Sequence, residues 1–348
     1  MNVSRYDFVS CLLSNGKVLA IGGTTSDDVR KQNEPNDIVV IENCELYDPA
    51  SKKWILTSSM HFPRSEYAAS VLPNGQVLVT GGVAQGEPVI QTAELYDPST
   101  GSWTNIDNMP NCRSDHTSTI LSNGKVLVVG GYYNSYINAV DLYDPSTKSW
   151  TTTGSLHYGR RYHTASILPN GKVLVTGGLI QGDDQTATAE LYDPSTGLWT
   201  IVKSMHFPRA AHATSVLSNG KVLVTGGSTG KTTLTDTELY DPSTGLWTLT
   251  GKLNDRRLFH TSSALPNGKV LVAGGIGAGG PINTTELYDP STGNWITAGY
   301  MHSARASHTA TVLTDGSVLI SGGISTHDIL VQSELYNSST ETWTLNDN

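Results

Sequence analysis

Seven of the ten arginines in this 348-residue chain occupy one recurring slot, Arg5, Arg64, Arg113, Arg160, Arg209, Arg257 and Arg305. Histidine follows three residues later at His116, His163, His212, His260 and His308. Guanidinium groups gathered at one place make charge-assisted pairs with carboxylates or phosphates, so one expectation is a cationic ring open to an acidic ligand. The competing expectation is internal, because carboxylates recur as faithfully at Glu94, Asp141 and Glu190 and would meet the arginines inside the fold. Asp115 beside His116 offers an acid and a base of the kind that could isomerise a sugar. A second histidine set, His61, His157, His206 and His302, lies on separate repeats, too dispersed to ligate one ion, and reads as solvated or capping. Cys11, Cys44 and Cys112 form neither a disulfide framework nor a zinc spacing.

The elements that position these residues are copies of one unit. Gly-Gly recurs at Gly22-Gly23, Gly81-Gly82, Gly130-Gly131, Gly177-Gly178, Gly226-Gly227, Gly274-Gly275 and Gly322-Gly323. Every tryptophan shares one place in the unit, from Trp54 to Trp343, and so do seven tyrosines from Tyr47 to Tyr336. Within the third unit, His116 to Leu121 reads as strand A, and Asn123-Gly124 as a two-residue turn with positive φ at both centres. Lys125 to Gly131 reads as strand B, a continuous apolar run ending in the glycine pair. Ala139 to Tyr143 reads as strand C, halted by Asp144-Pro145-Ser146-Thr147, and Ser149 to Thr151 as strand D. A sheet this small cannot bury both faces alone, so seven must stack, and a ring leaves no stacking face open. The expected fold is all-β, a seven-bladed β-propeller spanning 1–348, with blades near 5–58, 59–107, 108–154, 155–203, 204–251, 252–299 and 300–348. No strand remains for exchange between the termini, so closure is expected to rest on side-chain packing, which would make that seam the weakest.

The motif set of Gly-Gly, Glu-Leu-Tyr-Asp-Pro and Trp, with Arg opening the next unit, resembles the kelch repeat from about Arg5 to Leu345. The Asn-Gly-Lys-Val-Leu-Val-Thr-Gly-Gly form is similar to galactose-oxidase-type and bacterial kelch propellers. The resemblance implies two possible uses. In ligase-adaptor kelch propellers, arginines opening strand A grip acidic peptides, and the matching positions are the seven arginines above. In galactose-oxidase-type enzymes a copper site uses two tyrosines, two histidines and a cysteine joined to one tyrosine. Cys112 lies near His116, but that family also takes a ligand from a domain after the propeller, so no metal and no cofactor is expected.

Alternating strand direction puts the A–B and C–D turns on one rim, where they are nearly identical, and the D–A and B–C connections on the other, where they vary. Loops on a rigid scaffold are where binding concentrates, so function is expected on the D–A/B–C rim, including the long Thr24–Val39 insertion. Residues that break the repeat there are Tyr132, Tyr133 and Tyr136, Tyr162, and Arg256 with Phe259. Exposed tyrosines suit a protein segment or a sugar ring. Net charge of -9 gives no general attraction to nucleic acid, and no apolar run approaches the roughly 18 residues of a membrane span. The chain is therefore read as a monomeric, non-catalytic binding scaffold for protein segments or glycans, without nucleic-acid or membrane partners. The alternative is a carbohydrate-active enzyme on the same rim.

Overall fold

A computed structural model describes residues 1–26, 38–86 and 89–346, so the middle of the Thr24–Val39 insertion falls outside the described residues. Seven four-stranded antiparallel sheets follow one another along the chain, each built from consecutive strands A to D, and no helix occurs among the described residues. In the third blade strand A is Thr117–Ile120, B is Val126–Val129, C is Val140–Asp144 and D is Ser149–Thr152. Strands A of neighbouring blades pack against one another around the channel. Their hydroxyls meet across the seams, as in Ser70 with Ser118 at 2.7 Å and Ser215 with Ser262 at 2.7 Å.

Strand B carries no polar alternation because both its faces are covered. Val126, Leu127, Val128 and Val129 are all fully buried. The cores lie between blades: Leu127, Val129 and Val140 of the third pack on Val173, Val175, Tyr192 and Trp199 of the fourth. Each tyrosine of strand C sits opposite the tryptophan of strand D, Tyr143 opposite Trp150 for example, with ring centroids 5.0 Å apart. Most of these indoles then donate to the preceding blade, Trp199 to the Gly154 carbonyl at 2.8 Å and Trp247 to that of Lys203 at 2.7 Å.

The A–B turn differs from the expected two-residue form. Only its glycine has positive φ, +81° at Gly124, and the loop is one residue longer, with Gly124 N–H donating to the Leu121 carbonyl and Leu121 N–H to that of Lys125. This is the three-residue hairpin that ends in a left-handed glycine. Asn123 is needed for its side chain, whose Oδ1 accepts the Lys125 N–H at 3.1 Å.

The Gly-Gly pair is where the blades touch. A Cβ on Gly226 would stand 2.3 Å from the Arg257 carbonyl oxygen, and one on Gly227 would stand 2.8 Å from that of Ala210. Both glycines also have positive φ, +57° and +88°. The N–H of Gly227 donates to the Arg257 carbonyl at 2.8 Å, a main-chain bond between blades. The same bond recurs at the closing seam, Gly323 N–H to the Arg5 carbonyl at 2.8 Å. No strand is exchanged there, yet closure does not rest on side chains alone, and the reason given for a weak seam is removed. Met1 fills that seam as Met60, Met109 and Met205 fill others, all buried.

Candidate functional site

The seven arginines do not face a ligand. Arg5, Arg64, Arg113, Arg160, Arg209, Arg257 and Arg305 are each 0% exposed. Arg64 shows the pattern: Nη1 donates to the carbonyls of Gly81 at 2.9 Å and Thr92 at 3.1 Å, and Nη2 to Glu94 Oε1 at 2.7 Å. Burial lowers its pKa while Glu94 opposes the shift. The expectation of a cationic ring at the channel mouth is thereby corrected, because each guanidinium is buried and its terminal nitrogens tie its Gly-Gly pair to its own strand C. The acid does a second job. Glu94 also accepts the N–H groups of His61 at 2.8 Å and Phe62 at 3.3 Å, so it clamps the D–A connection. The same double bond is made by Glu45, Glu190, Glu238, Glu286 and Glu334. In the third blade the shorter Asp141 pairs with Arg113 but leaves its Oδ1 buried without a partner.

The histidines divide as their neighbours dictate. His61, His157, His206 and His302 are about half exposed and bond through Nδ1 to the same glutamates at 2.7–3.0 Å. His116, His163, His212, His260 and His308 are buried, each with Nε2 on a threonine hydroxyl of the preceding blade, such as His116 on Thr80 at 2.9 Å. Burial, then the adjacent buried arginine, pushes their pKa values far down, to about 3 for His163 and His308. They are neutral latches between blades. His116 therefore cannot serve Asp115 as a base exchanging protons with solvent.

A second ring does open to the mouth. Two residues after each arginine come Asp7, Glu66, Asp115, Tyr162, Ala211, Phe259 and Ser307, all with φ between 48° and 54°. A left-handed conformation is costly for side chains of this kind, and it is imposed here by bonds around the channel. The N–H of Asp115 donates to the Glu66 carbonyl, Ala211 to Tyr162, Phe259 to Ala211, Ser307 to Phe259 and Asp7 to Ser307, at 2.9–3.3 Å. Above this belt lies a cavity of about 270 Å³, lined by Asp7, Tyr162, Ala211, Phe259, Ser307 and the buried histidines of blades four to seven. Tyr162 and Phe259 meet edge to face across Ala211, with centroids 5.9 Å apart. Asp7, Glu66 and Asp115 stand on the three consecutive blades facing them. Burial first, then neighbouring carboxylates, raises Asp7 to about 6 and Asp115 to about 8.

Beside the mouth, the B–C loops of blades three and four rise as short ribbons, Tyr132–Tyr133 with Ser135–Tyr136 and Leu179–Ile180 with Asp184–Gln185. Arg161 is wedged among them, its guanidinium 4.6 Å from the Tyr132 ring, 5.1 Å from Tyr162 and 5.8 Å from Tyr136. Asp115 at 3.6 Å and Asp183 at 3.8 Å hold it, and the Tyr136 hydroxyl donates to Asp183. Tyr132, Tyr136 and Tyr162 thus converge, Tyr133 stands out at the ribbon tip with 39% exposure, and Tyr162 links this cluster to Phe259. Arg256 is exposed on blade six, apart from them. Arg161, Asp7 and Ser307 were missed. Aligning the units on the arginine slot would have shown them, since the positions one and two residues later change character from blade to blade.

Two solved structures share the architecture. A fungal alcohol oxidase of the AA5 family, in complex with copper, superposes with a TM-score of 0.75 at 18% identity, covering 94% of this chain and 73% of that one. A protein titled YjhT gives a TM-score of 0.65 at 19% identity, covering 84% of this chain and 99% of that one. At such identities the likeness is one of fold. Copper would need converging donors, and among the described residues no three His, Cys, Asp or Glu side chains gather to hold a metal. Cys112 lies instead near Gln91, Sγ to Oε1 4.0 Å, while His116 turns inward onto Thr80, so these two do not supply the cysteine and a histidine of a copper centre. No curated protein matches the sequence. Family models do: the attractin/LZTR1 beta-propeller over residues 21–239 and the KLHDC2/KLHL20/DRC7 Kelch-repeats domain over residues 162–347. With the seven blades, the Gly-Gly seams and the Tyr–Trp pairs in place, the chain belongs to the kelch-repeat β-propeller family.

Proposed function

We propose that this propeller is a non-catalytic binding platform whose D–A/B–C rim holds a protein segment or a glycan. The observation that supports it most is the cluster of Tyr132, Tyr136 and Tyr162 around Arg161, with Tyr133 exposed above it. Aromatic rings fixed by a guanidinium lose little freedom when a ligand covers them, which is what a contact surface requires. Arg161 keeps a quarter of its side-chain surface exposed while its stem and face are packed, so it adds a positioned cation to the rings. The matched family models fit this use, since kelch propellers generally bind protein partners. The seven arginines fall outside the proposed contact surface because they are buried. The test is a peptide array and a glycan array probed with the intact chain and with the Tyr132→Ala/Tyr133→Ala double variant. Loss of the captured ligands in the variant supports the reading, and unchanged capture overturns the placement.

A second reading, a carbohydrate-active enzyme, is favoured by one observation only. Asp115 is pushed up to about 8 by burial and by Glu66, against the pull of Arg161, so it carries a proton near neutral pH as a general acid must. His116 gives it no base, because its ring is buried on Thr80. Turnover of a sugar panel that disappears in Asp115→Asn with capture intact would favour this reading over the platform.

A further inference from the structure

The belt of left-handed residues is uniform in backbone and divided in chemistry. Blades one to three carry Asp7, Glu66 and Asp115 there, and blades four to six carry Tyr162, Ala211 and Phe259. Around a closed ring those two arcs face each other across the channel mouth. The small Ala211 lies between the two aromatic residues, which meet edge to face, and the cavity of about 270 Å³ that all three line takes in Asp7 of the acidic arc, with Glu66 and Asp115 on the blades beyond it. The acidic arc is undercompensated. Arg161 Nη1 stands 3.6 Å from Asp115 Oδ2, an oxygen that is buried and accepts no hydrogen bond. The histidines lining the cavity bring no positive charge, and the Nδ1 atoms of His212 and His260 are buried without partners. Within the arc Arg161 pairs with Asp115 alone, and it is shared with Asp183 outside the arc.

We propose that the channel mouth is a receptor for an organic cation on an apolar stem, an alkylammonium or guanidinium group whose charge meets the Asp7, Glu66 and Asp115 arc while its stem lies against Tyr162 and Phe259. The charge would take the place of water beside carboxylates that lack counterions, and the rings supply both apolar cover and cation–π attraction. A lysine or arginine side chain of a partner and a free diamine share this chemistry. The inference rests on the rim as a binding face and adds what the mouth takes. It also implies a proton count. Asp115 is faced by Glu66, Asp7, Arg161 and Tyr162, and Asp7 by Glu66 and Ser307. With Asp115 near 8, a cation arriving at neutral pH drives a proton off it.

The probes are Nα-acetyl-lysine methylamide, its norleucine counterpart and cadaverine, titrated calorimetrically into the full chain at neutral pH in two buffers of different ionisation enthalpy. Saturable binding of the amines is expected, at least tenfold tighter than of the norleucine compound, with buffer-dependent heats that report proton release. Glu66→Gln and Phe259→Ala, each checked for an unchanged thermal melt, should weaken it at least fivefold. Equal binding of lysine and norleucine probes, no saturable amine binding, or full affinity in a well-folded Glu66→Gln overturns the proposal. Tighter binding of the blocked lysine than of cadaverine assigns the site to a partner's side chain, and the reverse order assigns it to a free diamine; both support the cation. A chain that loses array ligands with Tyr132 and Tyr133 replaced, yet ignores the amines, would keep the platform and sink this inference alone.

Discussion

Arg160 and Tyr162 stand two residues apart, and each belongs to a seven-fold ring. The arginine ring is chemically invariant, wholly buried and paired with acids of strand C. The ring two residues on holds its backbone as strictly, with every φ near 50°, but carries acids, aromatic rings, a methyl and a hydroxyl. Where the fold needs a side chain, the residue type is fixed. Where it needs only a conformation, held by main-chain bonds, the side chain is free to vary and so to specialise.

The comparison is sharpest under acid. The five buried histidines have folded pKa values below their ordinary 6.5, so the unfolded chain binds more protons as pH falls through 6.5, and stability drops from there toward about 3. Each can cost up to roughly 1.4 kcal/mol per pH unit. Asp7 and Asp115, raised in the fold, act in the opposite sense between their unfolded 3.8 and their folded values of about 6 and about 8. Five against two predicts a maximum near neutrality and a net loss of several kcal/mol by about pH 5.5, measured by denaturant unfolding across pH. Next in size, Glu238→Gln removes the carboxylate of a buried pair and leaves Arg209 uncompensated, an expected cost of about 3–5 kcal/mol. Glu66→Gln, in the variable ring, should stay within about 0.5 kcal/mol. Equal effects from the two substitutions would erase the distinction drawn above.

Smaller changes probe the same contrast. Asp141→Glu should let the third blade's acid reach the Asn111 N–H, the one main-chain donor left at this place in its D–A connection because Pro110 stands where the other blades offer a second, stabilising by about 0.5 kcal/mol in chemical denaturation. Ala211→Gly, at φ of +53°, relieves left-handed strain and should raise stability by about 0.5 kcal/mol despite the extra freedom of the unfolded chain. A loss on that substitution would mean that the conformation is not strained.

Seven blades, strand order and the variable rim were all legible in the sequence, because Gly-Gly, Tyr and Trp keep one spacing and each has a packing reason to do so. That Arg64 reaches Glu94 was legible only as two matching periodicities. The contact itself depends on sheet geometry, and so the arginines could be read either as lining a mouth or as buried pairs. The left-handed belt left no trace, since Asp, Tyr and Phe carry none of the glycine signature that usually marks such a backbone, and hydrogen bonds from the next blade enforce it. The A–B turn misled for the reverse reason. Asn-Gly suggests one hairpin type strongly, but Lys17 and Leu13 close a loop that contains one residue more. Arg161 was visible as a second arginine beside Arg160 and was overlooked as part of the slot.

Five of the seven belt residues donate head to tail around the channel, each of these N–H groups pointing to the carbonyl of the blade before, while Glu66 and Tyr162 only accept. Peptide dipoles that run around a ring rather than along it sum to almost nothing along its axis, unlike those of a helix, whose aligned peptides leave a field at each end. The scaffold thus offers an entering ion no polarity of its own. Exchanging the side chains on this belt could reverse the sign of the potential at the mouth while leaving the framework beneath electrically indifferent.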